Sequence, residues 1–279
     1  MRNLLVLSVL LVSMCVSAQQ ASVIIEDDSQ TDLFIKAEAI PTEVRSGRNL
    51  DMVFEVRNKR ADTVRNITLL AYDQCLFSGD NTKTFVEIRP NETKRWSWKW
   101  LAGDVNVRRD CTIGFKVDYE ADFYRTQTLS VLTESEYNQR ESAGTLDSVP
   151  RSSSTSSNPI DILFSFSQNL PLIENDETSM FIDYVNKENG FIDKFEIGNI
   201  EINTTRSMQG ISCNDYNLAN NVLSLNRNLK FFDGRAPRST CTFTADVSTT
   251  SPSDVQVITL TAKYKYSLDN SLTVKVTAS

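Results

Sequence analysis

The chain has 279 residues, 29 basic against 36 acidic side chains, a net charge of −7 and no histidine. That balance excludes the basic surface that nucleic-acid phosphates require. The missing histidine removes the commonest general base and zinc ligand. The length is too great for one ordinary sandwich of about 100 residues and suits two cores.

Met1-Arg2-Asn3 is followed by an apolar stretch, Leu4 to Val16, and by the small residues Ser17-Ala18. About 13 apolar residues are too few to span a bilayer, which needs roughly 20, so residues 1–18 read as a secretory signal cleaved after Ala18. A lipidated Cys15 is the rival reading, and Met14 is a poor residue before it. Residues 19–31, with Glu26-Asp27-Asp28, are expected to be a flexible start of a secreted mature chain. No later window has transmembrane length, and no anchor is expected at Val276 to Ser279.

Residues 32–133 alternate apolar and polar side chains. Leu50, Met52, Phe54 and Val56 face one way, with Asp51, Glu55 and Arg57 opposite, as a half-buried strand requires. Further strands are predicted at Leu33 to Ile40, Asn66 to Tyr72, Thr84 to Ile88, Arg95 to Leu101, Cys111 to Tyr119 and Phe123 to Leu132. Seven short strands with turns at Ser46-Gly47, Ser78-Gly79-Asp80 and Pro90-Asn91 predict an immunoglobulin-like β-sandwich. Residues 134–159, including Arg151-Ser-Ser-Ser-Thr-Ser-Ser-Asn158, are predicted to be a flexible, protease-sensitive linker that lets the halves reorient. Residues 160–279 are predicted to form a second all-β sandwich. Its strands run from Ile160 to Ser167 through to a closing hairpin, Val255 to Tyr266 and Leu272 to Thr277, about Leu268-Asp269-Asn270-Ser271.

Cys75 and Cys111 fall in the first half, Cys213 and Cys241 in the second. Four cysteines allow three pairings. One disulfide per half is the economical choice for an exported chain, and no spacing favours a metal site.

The halves resemble each other in Val56-Arg57-Asn58-Lys59 with Tyr184-Val185-Asn186-Lys187, and in Cys111-Thr112-Ile113 with Cys241-Thr242-Phe243. Pro41, Gly47 and Asn58, then Asn186 and Gly190, and the Tyr264-Lys265-Tyr266 strand resemble the CARDB-type and S-layer-associated immunoglobulin-like domains of archaeal surface proteins. The resemblance covers most of the mature chain and implies a fold and a cell-surface location, with no catalytic residue to carry over. One departure is Arg60-Ala61, where those domains place a glycine.

Trp96, Trp98 and Trp100 share one strand face, which either stacks on glycan rings or partners, or lines a core. Asn66, Asn91 and Asn203 head Asn-x-Thr sequons. No nucleophile elbow, phosphate loop, calcium loop or zinc motif is present, so no cofactor or metal is expected and catalysis is not. The expected function is a secreted or cell-surface structural or adhesive role through protein contacts. A glycan-binding module and an accessory subunit of an exported assembly are the alternatives.

Overall fold

The computed structural model describes residues 21–25, 33–156, 159–247 and 251–279, so the expected signal segment lies outside the described residues. The first half contains β1 (Ala21–Ile25), β2 (Leu33–Ile40), β3 (Glu43–Arg45), β4 (Asn49–Asn58), β5 (Val64–Asp73), β6 (Phe77–Ser78), β7 (Thr82–Ile88), β8 (Thr93–Ala102) and β9 (Arg109–Leu132). After α1 (Glu134–Ser142) come β10 (Ser153–Thr155), β11 (Ile160–Phe166), β12 (Leu172–Ile173), β13 (Glu177–Asn186), β14 (Lys194–Phe195), β15 (Ile200–Asn203) and β16 (Met208–Cys213). The chain ends with β17 (Tyr216–Ala219), β18 (Val222–Leu225), β19 (Leu229–Lys230), β20 (Arg235–Ala245) and β21 (Ser253–Thr277).

The protein is all-β, built as antiparallel sandwiches, and β9 and β21 organise it. They pair antiparallel without a register shift from Ser253↔Leu132 to Val276↔Arg109, the full length of β9 and all of β21 but its last residue. This ribbon is the spine of a ten-stranded sheet, seven strands of which run in the order β17-β18-β15-β21-β9-β5-β7, while β10 and β12 pair with β9 and β3 with β21 off that path. Sheet β1-β2-β4-β8-β6 covers one end of it and sheet β11-β13-β20-β16 the other. Their buried side chains form one continuous apolar cluster, from Leu33 and Ile35 to Val274 and Val276. Phe54 of β4 meets Phe115 of β9 edge-on at 5.5 Å, bridging the two layers.

Strand alternation explains the ribbon's length. In β9 the odd residues Cys111 to Phe123 are buried, then Leu129 and Val131; in β21 the even residues Ile258 to Leu268 and Leu272 to Val276 are buried. Phase never slips, so one inward face serves both sandwiches.

Four expectations are corrected by this arrangement. Leu268 to Ser271 is not a hairpin turn, because Asp269, Asn270 and Ser271 pair with Lys116, Phe115 and Gly114 inside β21. Cys111 to Tyr119 and Phe123 to Leu132 are one strand, not two. Residues 134–156 are not a structureless linker. Thr133 Oγ1 accepts from Glu136 N–H to cap α1, Arg140 and Glu136 form an i,i+4 pair, and β10 joins β9 at Arg125 to Gln127. The serines find hydroxyl partners on β9: Ser154 with Thr126 at 2.6 Å and Ser152 with Thr128 at 2.9 Å. Within the segment expected to be a flexible start, Ala21–Ile25 pair with Ile35 to Ala39 of β2.

The internal repeat is visible as hydrogen bonding. Asn58 Nδ2 donates to Asp62 O at 2.7 Å and Asn58 Oδ1 accepts from Arg60 N–H; Asn186 Nδ2 donates to Gly190 O at 2.7 Å and its Oδ1 accepts from Glu188 N–H. Each is an Asx turn closing a ten-residue strand. Likewise β3 lies parallel to the end of β21, and β12 parallel to the end of β9. Ser46 N–H donates to Thr277 O and Glu174 N–H to Leu132 O at these matching sites. Aligning the halves there makes β9 and β21 equivalent strands, paired as in an isologous contact about Glu120 and Lys265.

Candidate functional site

The centre of the ribbon carries a row of shallow hollows. On the outer face of β9 stand Lys116, Asp118, Glu120 and Asp122, and beside them Lys263, Lys265 and Ser267 of β21. One wall is β5, where a bulge between Arg65 and Thr68 turns Arg65 and Asn66 toward the groove. The other is the segment from Phe191 to Asn199, tied down where Phe191 and Ser267 exchange backbone hydrogen bonds of 2.8 and 2.9 Å. The hollow beside Phe191 measures about 440 Å³, with neighbours of about 570 and 340 Å³ along the ribbon.

Most charges in the groove are already matched. Glu120 accepts from Asn66 Nδ2 at 2.7 Å and pairs with Lys265 at 3.5 Å. Arg65 holds both Asp122 oxygens at 2.7 and 2.8 Å, and Asp118 receives Lys116 at 3.0 Å together with the Ser267 hydroxyl. Such a floor exerts no strong field of either sign, unlike a phosphate or nucleic-acid site. Phe191, 55 % exposed, supplies an apolar rim.

Beneath the groove the halves are joined by buried polar contacts. The Arg60 guanidinium donates to Tyr264 Oη at 2.9 Å, to the Asp122 carbonyl at 2.6 Å and to both Asp62 oxygens. Tyr266 Oη donates to Asn186 Oδ1 at 2.9 Å, and its ring lies against Gly190, where an added Cβ would come within 2.2 Å. The arginine that departs from the resembled pattern therefore reaches the shared ribbon.

The candidate residues fall into three groups. Trp98 and Trp100 are 6 % and 0 % exposed and Trp96 is half-buried against Phe54 and Phe85, so the tryptophan face expected as a candidate binding surface is the inside of β8. Burial follows because β4 and β8 are central strands whose inward faces must meet the ribbon. Asn66, Asn91 and Asn203 are all exposed, Asn66 and Asn91 with left-handed backbone at φ 50° and 60°. Cys75–Cys111 and Cys213–Cys241 are disulfide-bonded; the first ties the loop after β5 to β9, the second links neighbouring strands β16 and β20.

Sequence reasoning missed one buried cluster. Asp215, 1 % exposed, pairs with Arg227 and accepts from Ser239 Oγ at 2.7 Å; Tyr184 Oη donates to Ser239 Oγ at 3.0 Å and bonds Tyr216 Oη at 2.5 Å. Burial pushes both tyrosine hydroxyls well above their ordinary pKa, so they stay neutral donors. Ser239 is fully buried, so the cluster fixes the second core. Spacing could not reveal it, since its members lie on β13, β17, β20 and the loops before β17 and after β18. Among the described residues no group of three or more His, Cys, Asp or Glu is placed to hold a metal ion.

No protein-family model matches the chain, and no curated protein matches it. Among solved structures, the crystal structure of a collagen adhesin from S. aureus aligns over 89 % of this chain and 91 % of that one. Its identity is 10 % and its TM-score 0.12, too low to carry an argument about fold or function. No helix among the described residues is long and apolar enough to cross a membrane.

Proposed function

We propose that the chain is a secreted or cell-surface protein with a non-enzymatic structural or adhesive role, acting through protein contacts at the centre of its ribbon. The supporting observation is the groove itself: residues of both halves meet there on an uninterrupted two-strand floor, so a partner touches a surface held in fixed geometry. Preorganisation lowers the ordering cost of association. The resemblance of the Asn turns and the Tyr264–Tyr266 strand to archaeal surface domains points the same way. The inward tryptophans remove the aromatic row on which glycan recognition was to rest.

The test uses mature protein and envelope fragments of the producing cell. Sedimentation binding is expected with the native chain and at least about tenfold weaker with Phe191→Asp combined with Lys265→Glu, which removes the rim and inverts a floor charge. Binding unchanged by both substitutions, or absent from the native chain, would refute the proposal.

A further inference from the structure

Asn189 is the one asparagine in the chain that precedes a glycine. Such a pair is chemically labile, because a glycine has no side chain to crowd its own nitrogen as that nitrogen attacks the preceding carboxamide. Asn189 is exposed, in the loop between β13 and β14. Among the described residues, neither its side-chain amide nor the Gly190 N–H has a hydrogen-bond partner; the Asn186 turn grips only the Glu188 N–H and the Gly190 carbonyl. The fold itself demands the glycine, since a Cβ at position 190 would come within 2.2 Å of the Tyr266 ring and 2.6 Å of the Ser267 carbonyl. In the first half the corresponding place, four residues after Asn58, is Ala61-Asp62, so the labile pair belongs to the second half alone.

We infer that Asn189 is a site of spontaneous deamidation in the folded protein, and that its isoaspartyl product opens the Asn186 turn. The Gly190 nitrogen, giving its proton to solvent, bonds to Asn189 Cγ; the Cγ–Nδ2 bond breaks and Nδ2 leaves as ammonia. One water then opens the five-membered imide. Opening at Cγ leaves aspartate, and opening at the Asn189 main-chain carbonyl carbon leaves isoaspartate, whose main chain runs through Cγ and is one atom longer. The balance is one water taken up and one ammonia lost, with no oxidation or reduction. The added atom falls between the two points that the Asn186 side chain holds, Glu188 N–H at 3.3 Å and Gly190 O at 2.7 Å, so both cannot be kept. Tyr266 Oη donates to the same Asn186 Oδ1, and Phe191 just beyond exchanges bonds with Ser267, so the loosening reaches the groove wall. Two other pairs that sequence alone would suspect are held by the fold. Asn270-Ser271 lies inside β21, with Asn270 opposite Phe115. Asp233-Gly234 is clamped where Phe232 and Arg235 exchange bonds of 2.7 and 3.0 Å, and its carboxylate is a poorer leaving group than an amide.

The chemistry needs no partner for the groove, so either proposal can fail alone. The full mature chain is aged in its native state at mildly alkaline pH, beside a portion held unfolded in guanidinium chloride. Trypsin then releases Glu188 to Lys194, a peptide in which Asn189 is the only side-chain amide. In the native portion this peptide is expected to gain the mass of an acid in place of an amide at least about tenfold faster than the peptide containing Asn270. Isoaspartyl methyltransferase is expected to label the aged native protein, and Asn189→Gln to remove that label. The isoaspartyl form, separated by ion exchange, is expected to unfold at lower urea than the starting protein. Asn189 intact in the native chain while the unfolded portion converts, a label that survives Asn189→Gln, or an isoaspartyl form as stable as the starting protein overturns the inference.

Discussion

Replacing Arg60 with methionine keeps the buried stem and deletes the guanidinium that binds Tyr264 Oη, the Asp122 carbonyl and Asp62. Breaking a fully buried charge pair costs about 3–5 kcal/mol, but the Asp62 side chain is 44 % exposed and regains water. The remaining loss, two charge-assisted bonds to buried acceptors, leaves about 2–3 kcal/mol. With a urea m-value of about 3 kcal/mol/M the unfolding midpoint falls by about 1 M. All three tryptophans lie in the first half, so fluorescence follows that half alone, while far-ultraviolet circular dichroism follows both. Because the ribbon supplies one layer of each sandwich, the two probes are expected to trace one transition and to shift together. A variant whose fluorescence midpoint falls while part of the dichroism amplitude stays in place would show that the halves unfold separately, and the reasoning from the ribbon would be wrong.

Gly190→Ala places a methyl group 2.2 Å from the Tyr266 ring and 2.6 Å from the Ser267 carbonyl, which the ribbon holds. A loss of about 2–3 kcal/mol is expected, lowering Tm by roughly 5–10 °C in a calorimetric scan; an unchanged Tm would mean the junction can open. Tryptophan emission should be blue-shifted and poorly quenched by iodide, since Trp98 and Trp100 are buried, and ready quenching would contradict the inward face of β8. Asp254 is pulled upward in pKa by burial, yet hydrogen bonds from Arg206, Gln256 and Ser207 outweigh that and hold it below the ordinary carboxylate value. A lowered folded pKa stabilises fully above the unfolded value, about 3.9, and that contribution disappears as pH falls through the folded one. Asp254→Asn should therefore flatten the acid limb of stability against pH below about 4, measured by urea titration; an unaltered limb would assign the acid sensitivity elsewhere.

Strand composition and the pairing within each half were legible because each depends on short-range alternation or on cysteine placement, and alternation placed the three tryptophans on one face without telling which way that face points. The repeat was legible at Asn58 and Asn186, since an Asx turn is written in a few adjacent residues. The ribbon was not, although its signal is present: Tyr264, Tyr266, Leu268, Leu272, Val274 and Val276 are all even-numbered, and a turn at Asp269-Asn270 need not preserve that phase. Turn propensity misleads there because Asn270 has a strand partner 155 positions earlier, Phe115, and pairing over that distance overrides local preference. The serine run failed for the same reason. Its hydroxyl partners, Thr126 and Thr128, lie on another element, and composition alone cannot see them. The groove combines both failures, as its floor exists only once β9 and β21 are laid side by side.

The common floor also constrains how the sequence can change. Deleting one residue near Glu120 would leave the inward set of β9 intact on one side of the cut and turn it outward on the other, so a single strand would serve one core and betray its neighbour. Length at the middle of β9 or β21 can vary only by two residues at a time, and then only if the opposite strand answers or a bulge absorbs the difference. Substitutions on the two halves can accumulate separately, as the sparse identities between them attest, while the spacing between the halves behaves as a single inherited dimension.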